Sequence, residues 1–206
     1  MLFTAFALAV AAPVNLPPVE QCRGDAEFTR LREQLQKAVA ARDLDGLMSL
    51  MSEDVRVSFG GQSGRERFSD YWTASEQDQE LLWAELGSAL RLGCAQAVDG
   101  EGKPYRAIPA MFVTGDGLDG FSTWASLPGA VLRSKPDAKA VARMRLPAWT
   151  VLSEVEHDGG SWIEVRTPKG RDGFVSTEQV RSLIDYRIIF GQRDGRWQIT
   201  AFVAGD

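Results

Sequence analysis

Ala130-Val-Leu-Arg133-Ser-Lys-Pro136, then Val151-Leu-Ser-Glu-Val155, Gly159-Gly160, Trp162-Ile-Glu-Val165 and Gly170-Arg-Asp-Gly-Phe174-Val175 are the stretches on which the reading of this chain turns. Each is a short run in which apolar and polar residues alternate, so that one face of an extended segment is oily and the other wet. Each is closed by glycine or proline, the residues that tight turns demand. Several such runs at close spacing predict a compact all-β module of the kind that binds or braces.

Taken in order, these motifs resemble bacterial SH3-like domains. Val131-Leu132-Arg133-Ser134-Lys135-Pro136 stands for the family's opening motif, Trp162-Ile163-Glu164-Val165 for its Trp-x-x-Val strand, and Gly173-Phe174-Val175-Ser176 for its Gly-Trp-Val-Ser strand. Lys135 replaces the usual glycine and Phe174 the usual tryptophan, while Leu146-Pro147-Ala148-Trp149 departs from the common turn. The resemblance implies a small β-barrel over 129–185 with aromatic residues on one face to grip a peptide or glycan. Trp149, Trp162 and Phe174 are the candidate ring contacts. Arg133, Tyr186 and Arg187 are candidates for charge-assisted contacts to carboxylates, with ion pairs to Asp137 or Asp185 as their structural alternative. A second resemblance, carried by Gly87 to Gly93, Pro104-Tyr105 and above all Asp185-Tyr186-Arg187 with Phe202-Val-Ala-Gly-Asp206, is to uncharacterised exported bacterial proteins that contain an SH3-like domain.

Outward from this stretch the pattern changes. Asp25 precedes Phe28, Leu31, Leu35 and Ala38, which share one helical face, and Asp43 precedes a second short helix. Val55-Arg-Val57-Ser-Phe59 alternates as a strand. Ser63-x-x-Glu66 reads as a capping box opening a helix, and another helix is predicted from Asp78 to Leu92, ended by Gly93. At the other end Tyr186, Ile188 and Phe190 alternate. Asp194-Gly195 supplies a type I′ turn, and Trp197, Ile199 and Ala201 alternate back as a hairpin. Two helices, a strand, a helix and this last hairpin resemble the nuclear-transport-factor-like (cystatin-like) α+β cone. The expected fold class is therefore α+β. Residues 1–12 form a signal peptide and 13–21 a linker. An acidic α+β domain covers 22–128, an SH3-like barrel 129–185, and the hairpin 186–206 packs at the junction; extension of the barrel sheet by the hairpin is the alternative.

Charge and cysteines bound the location. The 206 residues carry a net charge of −5, and its bulk lies in 22–128. A nucleic-acid binder needs a basic face, so that class is excluded. The apolar run through Leu2, Phe3, Phe6 and Leu8 is too short to span a bilayer, which takes about 20 residues. With Ala9 and Ala11 at a cleavage-like spacing it reads as a secretory signal, predicting a periplasmic or otherwise exported protein with no membrane span after cleavage. In that compartment Cys22 and Cys94 read as a disulfide; in the cytosol they would be reduced core thiols. No Cys-x-x-Cys and no nearby histidine suggests metal, and no cofactor motif is present.

The chemistry-bearing residues are sparse. His157 is the only histidine and reads as a turn residue rather than a base oriented by Asp158. The Gly60-Gly-Gln-Ser-Gly64 loop lacks the lysine of a phosphate loop, and Asp116 and Asp119 lack Ca²⁺-loop spacing. No catalytic residue is assigned. The expectation is a non-enzymatic exported module binding a peptidoglycan peptide or an envelope protein. The alternatives are a small-molecule or enzymatic pocket in the N-terminal part, with Asp70, Tyr71 and Glu85 as nominal acid–base candidates, and a structural scaffold.

Overall fold

Asp25 caps the first helix as its position predicts. Its carboxylate accepts from the amides of Glu27 and Phe28 at 3.0 Å each, and α1 (Ala26–Ala41) buries Phe28, Leu31, Leu35 and Ala38. The computed structural model describes residues 14–205; the expected signal peptide lies outside the described residues. Asp43 caps α2 (Leu44–Ser49) through the Gly46 amide, and the chain runs directly into β1 (Met51–Arg56).

The predicted capping box at Ser63 does not form. Ser63 pairs with Arg56, and the Gly64 amide donates to Val55 O at 2.8 Å, so the segment is held against the end of β1. Helix α3 (Arg65–Trp72) starts after Gly64 without a side-chain cap. Helix α4 (Glu76–Leu90) begins earlier than Asp78, because Ser75 accepts from the Asp78 amide at 3.1 Å while its hydroxyl donates to the Asp78 carboxylate at 2.6 Å. Then come β2 (Ala95–Val98), β3 (Pro104–Ile108), and the short α5 (Met111–Thr114).

The final hairpin forms with its predicted turn. Asp194 and Gly195 have φ of 51° and 73° between β11 (Arg187–Arg193) and β12 (Arg196–Val203). It does not sit at a junction. It occupies the middle of a five-stranded sheet ordered β1-β12-β11-β3-β2, in which β12 runs parallel to β1 and the other pairs are antiparallel. The reason is the apolar load of its inner face: Ile188, Phe190, Trp197, Ile199 and Phe202 are buried and need a helical cover. Helices α1 and α3 supply it. The Phe28 ring meets Phe190 edge-on at 5.0 Å and Trp197 at 5.6 Å, and Trp72 lies 5.5 Å from Phe202.

The expected SH3-like barrel is not formed. The strands β4 (Thr123–Ser126), β5 (Val131–Arg133), β6 (Ala142–Arg145), β7 (Val151–Glu156), β8 (Trp162–Arg166), β9 (Asp172–Ser176) and β10 (Val180–Ser182) make an open antiparallel sheet ordered β10-β4-β7-β8-β9-β5-β6. Two features overturn closure. The chain places β4, which precedes the quoted stretch, between β7 and β10. The opposite edge, β6, is mostly exposed, and β5 meets β9 only through Arg133 and Phe174. The quoted runs are strands and their turns are turns, but closure depends on pairing between strands far apart in the chain, which local alternation does not encode. The molecule is thus α+β with a helix-backed five-stranded sheet and an open seven-stranded sheet. The latter carries its own aliphatic core of Leu132, Leu146, Leu152, Ile163, Val165 and Val175.

Residues 14–21 tie the two sheets together. Leu16, buried, donates its amide to Trp149 O at 2.8 Å and packs with Met111, Val151 and Leu183. Five residues on, Gln21 donates to Cys94 O. Cys22 and Cys94 are joined by a disulfide with Cα atoms 5.7 Å apart. No helix of the described residues is long and apolar enough to cross a membrane.

Candidate functional site

Two concavities lie on the sheet faces turned away from α1, α3 and α4. The larger, about 910 Å³, is a groove over the outer face of the five-stranded sheet. Alternation along β11 builds its floor: Ile188 and Phe190 point into the core, so Ile189 and Gly191 line the groove with Tyr105 of β3 and Thr200 of β12. Gly191 keeps the floor low, since a Cβ there would meet Thr200 Cγ2 at 3.1 Å. The walls come from the turn around Asp99 and Lys103, the segment from Phe112 to Gly120, and Leu183 with Ile184. Gly115 lets one wall approach Leu183, whose Cδ1 would lie 2.7 Å from an added Cβ.

Arg187, one of the predicted binding residues, is built into this wall. It is buried, donates to the carbonyls of Ile184 (2.9 Å) and Gly205 (2.7 Å), and faces the rings of Phe112 and Phe59 at 4.5 and 5.1 Å. Burial, then Asp116 and Asp99, push the Tyr105 phenol above its usual range, so it remains a proton donor at neutral pH. Rim charges of both signs surround it. Lys103 pairs with Glu101 at 2.6 Å and Arg193 with Asp54 at 3.2 Å, while Asp116 has no ion-pair partner among the described residues.

The smaller concavity, about 330 Å³, lies on the seven-stranded sheet and is lined by Pro136, Glu156, Asp158, Trp162, Glu164 and Phe174. On β8, Ile163 and Val165 are buried and Trp162 and Glu164 face out; on β9, Gly173 and Val175 are buried and Phe174 faces out. The structure therefore brings together two of the predicted ring contacts, Trp162 and Phe174. Arg133 pairs with Phe174 across the strands but turns its guanidinium to Ala140 O at 2.8 Å.

The other candidates are elsewhere. Trp149 lines neither concavity; it is held at φ 65° by backbone bonds to Ser126 O (2.6 Å) and from the Leu16 amide. Tyr186 stacks on Phe202 at 5.2 Å and against Trp72 at 5.4 Å. Burial first, then neighbouring Tyr71, raise its phenol to about 12. Asp70 and Tyr71 are exposed on α3. Glu85 faces Arg181 at 3.9 Å, and Arg181 lies 3.3 Å from Asp185. The space between helices and sheet is filled by Phe28, Phe68, Trp72, Phe190 and Phe202, so these groups converge on no cavity. His157 contacts Gly160 O at 3.2 Å, and the Asp158 carboxylate accepts from the Gly160 amide, so the two do not form a base pair. Asp119 accepts from Phe121 N and Ser122 Oγ as a turn. Glu20 lies beside Cys22 and Cys94, whose sulfurs are bonded to each other rather than offered to a metal.

The groove escaped the sequence reading. Its one signal is Gly191 directly after the apolar run Ile188-Ile189-Phe190 within β11, a placement that marks a bulge, a bend or a close approach.

No protein-family model matches the chain, and no curated protein matches it. Similar solved structures include an NTF-2 like protein of unknown function from Shewanella oneidensis MR-1 (TM-score 0.32, 11% identity, covering 87% of this chain and 97% of that one). Another is a protein of unknown function with a cystatin-like fold from Nostoc punctiforme (TM-score 0.29, 8% identity, 90% and 92% covered). A third is an uncharacterized protein with a cystatin-like fold from Caulobacter vibrioides (TM-score 0.30, 10% identity, 86% and 84% covered). Likeness at this level says nothing about the chemistry of this chain.

Proposed function

We propose that the protein is a non-enzymatic, exported binding module whose ligand lies in the groove over the five-stranded sheet. The ligand is a short peptide carrying charges of both signs, such as a cell-wall stem peptide or a segment of an envelope protein. The observation that carries the reading is the groove itself: about 910 Å³, within the range of about 300–1,000 Å³ typical of ligand sites. Ile189 and Gly191 lie beside Tyr105 and Thr200 on its floor, Lys103, Arg193, Asp99 and Asp116 stand among its lining, and the Tyr105 phenol offers a proton donor. A peptide matches this mixture, pairing backbone carbonyls with the phenol and termini with the rim. Export is supported by the Cys22–Cys94 disulfide, which persists in oxidising compartments.

The test is calorimetric titration with soluble muropeptides and co-sedimentation with sacculi, comparing wild type, Tyr105→Phe and Gly191→Leu. Saturable binding is expected, reduced by roughly fivefold to tenfold when the phenol is lost and abolished when a leucine side chain fills the floor. No binding by wild type, or full binding by Gly191→Leu, overturns the reading.

A further inference from the structure

The cleft on the seven-stranded sheet holds an arrangement that folding alone does not explain. Glu156 of β7 and Glu164 of β8 are directly paired across the strands. Like charges so placed, roughly 5 Å apart at Cβ, destabilise a sheet. Neither forms an ion pair among the described residues. Asp158 adds a third carboxylate at the same cleft. On the neighbouring strands, Arg166 is held by both oxygens of Asp172 at 2.7 and 2.9 Å, and Arg133 donates to Ala140 O.

The cleft is more than a solvated acidic patch. Trp162 and Phe174 form its apolar lining with Pro136, and both rings are half-buried. Ring faces carry a negative quadrupole and attract cations. An ammonium or guanidinium on a hydrocarbon stem satisfies both halves of such a site, the stem against the rings and the head among the carboxylates. A hard metal ion takes oxygen ligands alone and leaves the rings without a partner. The volume, about 330 Å³, has room for one long side chain. The cleft is also open along an uncovered sheet face, where an extended chain can cross it.

We propose that the cleft formed by Trp162, Phe174, Glu156, Glu164 and Asp158 is a second binding site that takes a lysine or arginine side chain of a basic peptide segment. The site is independent of the groove and of any ligand the groove takes. Charge complementarity makes the occupant a basic chain, and bound cation relieves the Glu156–Glu164 repulsion. Affinity therefore falls with salt, as it does for partly exposed charge pairs.

The test titrates the full chain with N-acetylated, C-amidated Ala-Lys-Ala-Lys-Ala, using tryptophan fluorescence and calorimetry, with Ala-Glu-Ala-Glu-Ala as control. Saturable binding of the lysine peptide alone is expected. Glu156→Gln and Glu164→Gln each weaken it roughly threefold to tenfold. Both variants keep or raise the thermal midpoint, because each removes a like-charge contact. Loss of affinity without loss of stability is what a merely structural role would not produce. Trp162→Phe retains part of the binding and Trp162→Ala loses it. Absence of binding by wild type, equal binding of the glutamate peptide, or unchanged affinity in the Glu156→Gln/Glu164→Gln double variant overturns the proposal. Glu156, Glu164 and Trp162 line only this cleft and Tyr105 and Gly191 only the groove, so the two readings fail separately.

Discussion

The two sheets are built from similar alternating strands, yet they bury their inner faces differently. The five-stranded sheet has a helical roof, and its core mixes aliphatic side chains with large rings: Phe28, Phe68, Trp72, Phe190 and Phe202 are all nearly inaccessible. The seven-stranded sheet has only the short α5 packed against β4 and β7 through Met111, and its main core is the aliphatic set around Leu132, Leu152, Ile163 and Val175. A roofed sheet can carry large rings inward and leave its other face bare as a groove. An unroofed sheet must curl over small side chains, and its large rings, Trp162 and Phe174, are left outside. The same residue type thus acts as core in one region and as surface in the other.

That contrast is broken first at the rings of the roofed core. Phe190→Ala should cost about 3–5 kcal/mol, whereas Ile163→Val in the aliphatic core should cost about 0.5–1.5 kcal/mol, both read from denaturant midpoints. A Phe190→Ala cost no larger than that of Ile163→Val would mean that the Phe190 ring is not tightly packed under the roof.

The disulfide sharpens the contrast next. It closes a loop with a sequence separation of 72, and its removal in a Cys22→Ala/Cys94→Ala variant should cost about 4 kcal/mol on the chain-entropy account. Hydrogen exchange should then show larger loss of protection in α1 and α4 than in β8 and β9, because both cysteines belong to the roofed region. Uniform loss across both sheets would show instead that the molecule opens as one unit.

The smallest effect is expected at the seam, where Arg181 of β10 reaches Ser88 of α4 at 3.2 Å and the Tyr186 carbonyl at 2.7 Å. Burial, then Asp185, push the Glu85 carboxyl up, with Arg181 opposing. A carboxyl raised on folding contributes stability at pH below the ordinary glutamate range, and that contribution is lost as pH rises through its folded value. Glu85→Gln should therefore match wild type in acid and gain on it at neutral pH, a difference read from thermal midpoints between pH 4 and 7. A variant less stable at pH 7 would mean that the Arg181 contact outweighs desolvation.

Much of the local structure was legible because its causes are local. Asp25 and Asp43 cap helices through amides two or three residues away, and Asp194-Gly195 adopts left-handed φ values that few other pairs tolerate. Ser63 failed as a cap for an equally definite reason: the end of β1, not its own helix, claimed its backbone. Of the predicted ring contacts, Trp162 and Phe174 met because alternation on neighbouring strands sets their facing. Trp149 did not, because its orientation follows from bonds to Ser126 and Leu16. The groove was illegible because its floor and walls come from segments around residues 100, 115, 184, 191 and 200 that no local pattern links.

By itself the chain's order of residues determined helix starts, turn positions, strand alternation and the candidate cysteine pair, since each depends on side chains within a few positions or on count alone. Only the tertiary structure decided that β12 pairs with β1 across almost the whole chain, with Met51 opposite Ile199, and that β4 joins the seven-stranded sheet and leaves it open. Those choices are settled by which faces can be covered at once. Coverage is a property of the assembled layers, and no single strand carries it.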